Sequence, residues 1–323
     1  MNKPIAIIAG EPNSISSEII FKIWKSRKKY KHKPFFIIGS ISLLKQQSKK
    51  LKYNIKIKKI NQHFDVKFLK TNLLPVYDIK YQQKKPFEKI SKKSNNYIFK
   101  SFDVALKLLK IKKIDGLINC PVSKETLFKN KSQGITEFIS KKTKVKGNEV
   151  MLIFNKKLAV SPITTHIPLN KVSESLSKNR IINNINTINN FYKKKLNMLP
   201  KFFVLGLNPH NFSSLKNPEE KKIILPALKV LKKNKVKVTG PVSPDTSFIF
   251  NNKNIPHVIV GMYHDQVLTP FKTLFKFNAI NITLGLPFFR VSPDHGVGEN
   301  IMGRNIANPQ SLIESIKFFN LLK

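Results

Sequence analysis

The chain has 323 residues, 41% of them hydrophobic, which is ample for a folded core and excludes whole-chain disorder. Lys and Arg number 59 against 18 Asp and Glu, a formal net charge of +41. No apolar run reaches the roughly 18 residues of a membrane span, and Ile5–Ala9 is too short for a signal-peptide core. Cys120 is the single cysteine, so neither a disulfide framework nor a thiolate metal cluster is available. The expectation is a cytoplasmic globular protein.

The charge is a poor guide to function. The arginines are Arg27, Arg180, Arg290 and Arg304; the rest of the excess is lysine. Surfaces that read bases or clamp phosphates favour arginine forks over lysine point charges. Lys, Asn, Ile and Phe are all plentiful, the pattern left when AT-rich codons drift into tolerant surface positions. No nucleic-acid partner and no membrane partner are expected.

Taken in chain order, short apolar runs predict strands at Ile5–Ala9, Phe35–Ile38, Gly116–Asn119, Leu158–Ile163, Phe202–Leu207, Val236–Thr239, His257–Met262 and Ala279–Leu284. Longer amphipathic stretches predict helices at Glu18–Trp24, Tyr97–Leu109, Lys171–Leu176, Arg180–Tyr192, Glu219–Lys232 and Gln310–Phe319. The lysine-rich segment from Lys45 to Asn96 shows no clear period and is expected at the periphery. Such alternation points to a parallel α/β architecture. Residues 1–323 are expected to form one catalytic unit of two interleaved lobes, without a boundary visible in the sequence.

Several predicted strands end in a short polar tip: Gly10-Glu11-Pro12, Cys120-Pro121-Val122-Ser123-Lys124, Thr164-Thr165-His166, Asn208-Pro209-His210 and Tyr263-His264-Asp265-Gln266. In open parallel sheets, ligands bind at the carboxyl ends of the strands. Three of the tips carry a histidine, and three imidazoles could form an open divalent-metal site. A lone histidine after a strand is more often a hydrogen-bonded loop residue, and the separations of these three match no local metal motif.

At these residues the sequence resembles the 4-hydroxythreonine-4-phosphate dehydrogenase family of vitamin B6 biosynthesis. The resemblance runs from Ala9-Gly10-Glu11-Pro12 to Ile306-Ala307-Asn308-Pro309. Its densest parts are Thr164–Leu169, Gly206–His210, Met262–Gln266, Asn281–Phe288 and Asp294-His295-Gly296. It implies the isocitrate/isopropylmalate dehydrogenase-like fold, two α/β/α lobes around a central cleft, and a homodimer with a shared active site. It also implies oxidation of 4-phosphooxy-L-threonine by NAD (or NADP), then decarboxylation, with help from a divalent cation such as Zn, Mg or Co. His166, His210 and His264 fall on the family's metal ligands, the first two from one subunit and His264 from its partner. Thr136, Lys272, Asn281 and Arg290 fall on its substrate-binding positions, and His295, Gly296 and Asn300 on the cofactor-binding loop. The resemblance leaves the catalytic base unknown.

The chain also departs from the family pattern. Ile135 stands where the family has a histidine, and Asn13–Ser17 replaces a glycine-rich turn. Asn300 replaces an aspartate that accepts hydrogen bonds from a ribose, leaving one neutral acceptor in place of a charged one. Two further readings follow from these changes: a sister dehydrogenase for another phosphorylated four-carbon hydroxy acid, and a decayed relative that only binds.

Overall fold

The computed structural model describes residues 3–69, 71–128, 134–145, 147, 149–212, 218–249 and 256–323. Its strands, in chain order, are β1 (Ile5–Ile8), β2 (Phe35–Gly39), β3 (Ile57–Ile60), β4 (Leu74–Asp78), β5 (Gly116–Asn119) and β6 (Val150–Phe154). They continue with β7 (Leu158–Pro162), β8 (Lys201–Leu205), β9 (Val238–Val242), β10 (His257–Gly261), β11 (Ile280–Leu284) and β12 (Phe289–Pro293). The chain divides into two compact units, Met1–Ile139 with Pro287–Asn320, and Ser140–Leu286 with Leu321–Lys323. Among the described residues, no helix is long and apolar enough to cross a membrane.

In the first unit the strand order is β3-β4-β2-β1-β5-β12, and every pair is parallel. Ile5, Ile7, Ile8, Phe36, Leu117 and Ile118 are fully buried, as strands covered on both faces require. The predicted strands at Ile5–Ala9, Phe35–Ile38 and Gly116–Asn119 are all present. The segment with no clear period supplies a helix, Ile41–Lys50, and the outermost pair β3 and β4. It does lie at the sheet edge, where lysines can point to water. The chain leaves β1 towards β2 on one side and reaches β5 on the other, so the order switches between β1 and β5. That switch opens a crevice at their carboxyl ends.

In the second unit the order is β11-β6-β7-β10-β8-β9. Strands β7, β10, β8 and β9 run parallel, whereas β6 is antiparallel to both β7 and β11. The sheet of this unit is therefore mixed within the expected α/β architecture: Asn155–Lys157 is short enough to turn β6 straight into β7 as a hairpin. Ile153, Val160, Leu205 and Ile259 pack against Val267, Leu268 and Phe271 of the helix His264–Phe275. That helix was not expected, because its first turn looked like a polar strand tip. The predicted helix Lys171–Leu176 is a tight turn, Leu169–Lys171, leading into Val172–Ser175.

The crevice of the first unit rests on Gly10, which follows β1 with φ of +75°. A Cβ there would lie 2.4 Å from the Pro121 carbonyl oxygen, while the Glu11 N–H donates to that same oxygen at 2.9 Å. The β1 and β5 tips are thereby bonded together. Gly10→Ala combines left-handed strain with a backbone clash and is expected to destabilise the chain by about 2–4 kcal/mol. Urea unfolding measures this; a loss below about 1 kcal/mol would show that the two tips separate easily.

Glu11 is buried and accepts from the Asn13 N–H at 3.2 Å and the Ser94 hydroxyl at 3.1 Å. Burial raises its pKa despite those bonds, and the nearby Glu299 charge adds to the effect. The folded state therefore favours the protonated form. Compared with Glu11→Gln, the wild type is expected to lose stability as pH rises from its ordinary value of 4.5 through the raised one. Parallel urea titrations between about pH 4 and 8 check this, and a pH-independent difference would overturn it.

Candidate functional site

In the first unit the central side chain is Arg290 on β12, only 4% exposed. Its Nε donates to Asn119 Oδ1 at 2.7 Å and its Nη1 to Thr136 Oγ1 at 3.1 Å. The register explains the first bond. Arg290 pairs with Leu117 on β5, so a long side chain running along the strand reaches Asn119 at its end. Burial brings the guanidinium pKa down to about 10, partly opposed by the Glu137 charge. It remains a cation at neutral pH. Thr136 sits in the first turn of the helix Ile135–Lys142, where Glu137 Oε2 accepts from the Gly134 N–H at 2.8 Å. Ile135 itself is buried, 4% exposed.

The loop after β12 carries His295, Gly296 and Asn300. His295 Nδ1 lies 3.0 Å from the Gly296 carbonyl oxygen, and Asn300 is exposed within the short turn Glu299–Ile301. The loop docks onto the turn after β1, where the Ile15 N–H donates to Val297 at 3.0 Å. Gly298 has φ of +62°, and a Cβ on it would lie 2.9 Å from Ile15 Cγ2. Only glycine meets both conditions comfortably.

In the second unit the three histidines follow three neighbouring parallel strands, β7, β10 and β8, and so occupy the same edge of its sheet. The Ile163 and Thr164 N–H groups donate to Gly261 and Met262, at 2.8 and 3.1 Å, which joins the β7 and β10 tips. Gln266 joins the β10 and β8 tips: its Oε1 accepts from the Met262 N–H at 2.6 Å, and its Nε2 donates to Gly206 at 2.8 Å. Glu220, 2% exposed, accepts from the Leu207 and Asn208 N–H groups and so clamps the turn leading to His210. The His166 and His264 rings are 5.7 Å apart, centre to centre. His210 adopts φ 50°, ψ 21°, in the left-handed region that non-glycine residues rarely occupy. His264 begins a helix, with Nδ1 2.7 Å from Asp265 Oδ1, a contact that leaves Nε2 as the outward nitrogen. Among the described residues of one chain, no three His, Cys, Asp or Glu side chains are grouped to hold a metal ion.

Lys272 lies exposed on the helix His264–Phe275, and Asn281 is half-buried on β11. Asn281 Oδ1 is buried without a hydrogen-bond partner among the described residues, an acceptor left available to a donor from a ligand. Sequence reasoning missed Asn119, Gln266 and Glu220, which orient the site. Their roles depend on strand register and on tips brought together from distant parts of the chain. Nothing local announces them.

The chain was compared with known proteins. The family model of the pyridoxal phosphate biosynthetic protein PdxA matches residues 31–319. The 4-hydroxythreonine-4-phosphate dehydrogenase of Sulfurihydrogenibium sp. (strain YO3AOP1) is 38% identical over 324 residues, covering 99% of this chain and 98% of that protein. The protein of the same name from Aquifex aeolicus is 34% identical, covering 98% and 97%. The crystal structure of 4-hydroxythreonine-4-phosphate dehydrogenase from Klebsiella pneumoniae superposes with a TM-score of 0.84 at 27% identity, covering 99% of each chain. With a family match spanning most of its length and end-to-end relatives above 30% identity, the chain belongs to the PdxA family of pyridoxal phosphate biosynthetic proteins.

Proposed function

We propose that the protein oxidises 4-phosphooxy-L-threonine with a nicotinamide dinucleotide and decarboxylates the product, giving 3-amino-2-oxopropyl phosphate in pyridoxal phosphate biosynthesis. The observation that carries this reading is the set of three histidines at the ends of β7, β8 and β10, on one edge of one sheet. Carbon 3 gives a hydride to the nicotinamide and its hydroxyl gives up a proton. The resulting β-keto acid then loses carbon dioxide.

Three imidazoles form a donor set suited to zinc or cobalt more than to magnesium, which prefers oxygen ligands. His166, His210 and His264 would hold such a cation, with His166 and His210 from one subunit and His264 from its partner. When bound, the cation acidifies the substrate hydroxyl and stabilises negative charge on that oxygen. Asp265 fixes the His264 ring by accepting its Nδ1 proton, so the imidazole need not reorient. Arg290 and Thr136 bind an anionic group of the substrate, and Asn119 prevents the guanidinium from rotating away. On the second unit, Lys272 offers a positive charge to substrate and Asn281 Oδ1 accepts from a donor such as the substrate ammonium. The dinucleotide would lie on the loop His295–Asn300, where Asn300 offers its ribose one neutral acceptor.

The shared metal site has a direct test. His210→Ala and His264→Ala are each expected to be inactive and depleted of metal. Refolded together, about half the dimers pair unlike chains, and one of the two sites in each escapes both changes. About a quarter of wild-type activity should return. No recovery, with mixed dimers demonstrated, would place both ligands on one chain. A second mixture, His166→Ala with His264→Ala, asks the same of the pair whose rings lie 5.7 Å apart.

A second reading, a sister enzyme with a different phosphorylated hydroxy acid, is favoured by one observation. The residue beside Thr136 is the buried aliphatic Ile135. An imidazole at that position would be buried rather than presented to substrate. Ile135→His is therefore expected to lower the melting temperature and raise KM for phosphooxythreonine. A fall in KM would instead show that position 135 faces the substrate directly and would remove the support for a different acid.

A further inference from the structure

At the amino ends of β2 and β4 lies a cavity of about 740 Å³, on the opposite edge of the first unit's parallel sheet from the β1–β5 crevice. The helix Ser16–Ser26 and the turn Arg27–Lys29 that continues it supply one wall, and Val66–Leu69 with Thr71 and Asn72 another. Three buried side chains, Trp24, Phe35 and Leu69, form its floor, the indole edge-on to Phe35 with 5.7 Å between ring centres. All of these residues belong to the first unit. A space of this size with an apolar floor suits a small molecule.

We propose that this cavity binds a small planar aromatic compound that carries a phosphate group, at a site separate from the catalytic edge and independent of the activity proposed above. Arg27 is the residue on which the site is built. Its guanidinium lies over the Trp24 ring, 3.9 Å from the ring centre. Nη1 donates to the Trp24 carbonyl oxygen at 2.6 Å, and Nη2 donates to Asn72 Oδ1 at 3.4 Å. These contacts hold the group in place, and because every partner is neutral they leave its charge uncancelled. A drifting surface cation has no such fixed frame.

Around Arg27 the described lining holds four lysines and no carboxylate. Lys33 is bonded to Asp115, which leaves Lys28, Lys31 and Lys67, exposed at the rim, to face an anion together with Arg27. A single lysine in water contributes little. A phosphate, with close to two charges and three acceptor oxygens, engages the fixed guanidinium and more than one lysine at once. An anion alone would leave the apolar floor wet. A flat ring covers that floor and extends the stack begun by the indole and the guanidinium. His32, its ring 5.2 Å from that of Phe35, adds a further aromatic wall.

Trp24 is the chain's single tryptophan, so its fluorescence reports directly on the cavity. Adenosine 5′-monophosphate and pyridoxamine 5′-phosphate, two sources of the same chemistry, are the probes, titrated into the full chain at fixed ionic strength. Adenosine and inorganic phosphate present the two halves separately. At least one of the two probes is expected to change the Trp24 emission saturably, with the same Kd by calorimetry, and each half should bind about tenfold more weakly or worse. Arg27→Gln should weaken calorimetric binding about tenfold or more, and Arg27→Lys should restore little, because an ammonium cannot lie flat on the indole. Should Arg27→Gln fail to fold, Lys28→Gln combined with Lys67→Gln on the exposed rim carries the test, with weaker binding and a shallower salt dependence expected. Lys232→Gln, exposed in the second unit, should leave binding unchanged. Binding at the dinucleotide loop would survive the Arg27 and rim substitutions, and unchanged affinity in those variants overturns the proposal. So does an equal loss in Lys232→Gln, binding of inorganic phosphate as tight as that of the whole probes, or no binding of either probe.

Discussion

Parallel strands cannot be joined by tight turns, and this constraint organises the molecule. Each crossover must return along the outside of the sheet, so every strand of a parallel set delivers its carboxyl end to the same edge. In the first unit that edge receives the tips after β1 and β5; in the second it receives those after β7, β10 and β8. Residues far apart in sequence become neighbours without any local motif. Within the second unit, Gln266 and Glu220 turn this coarse convergence into definite geometry. Each uses a side-chain oxygen to satisfy tip N–H groups that the strands no longer serve.

Legibility in the sequence followed the physics of burial. Strands β1, β2, β5 and β10 are continuous apolar runs because both faces are covered, and a run of that kind shows in composition alone. β3 reads Ile-Lys-Lys-Ile at an edge with one face in water, and its pattern is too short to separate from noise. β12 was hidden because Arg290 interrupts its apolar run, whereas β6, Val-Met-Leu-Ile-Phe, is as apolar as the strands that were read and was simply overlooked. The helix that starts at His264 was masked by its polar first turn and by Pro270 inside it. For the site, the residue types and tip positions were visible, but the bonds that orient Arg290 require a strand register that no single segment encodes.

The lysine excess has the same explanation. Of the residues that carry a formal positive charge, Arg290 is the one buried among the described residues, while the lysines lie at intermediate or exposed positions. Solvated lysine tolerates drift because each charge interacts weakly with its neighbours through water. A buried guanidinium has no such latitude, since loss of an orienting partner leaves a charge that water cannot reach. Charge composition describes the surface, and the single buried cation describes the site.

The turn after β1 carries an unusual load of buried polar groups. Asn13, Ser14 and Ser16 are buried polar residues, and buried polar groups destabilise a fold unless they are bonded. Asn13 exchanges bonds with Gln83 in both directions and accepts from the Glu88 N–H at 2.8 Å. Ser14 donates to the Glu11 carbonyl oxygen at 2.6 Å and accepts from the Ser16 N–H at 3.1 Å. Ser17 Oγ is the hydroxyl here that has no partner among the described residues. Ile15, between these residues, forms the floor beneath Gly298. These side chains bond the turn to the segment 83–88 and support the loop that carries His295 and Asn300. The turn and the loop after β12 are thereby held as one bonded unit within the first sheet's edge.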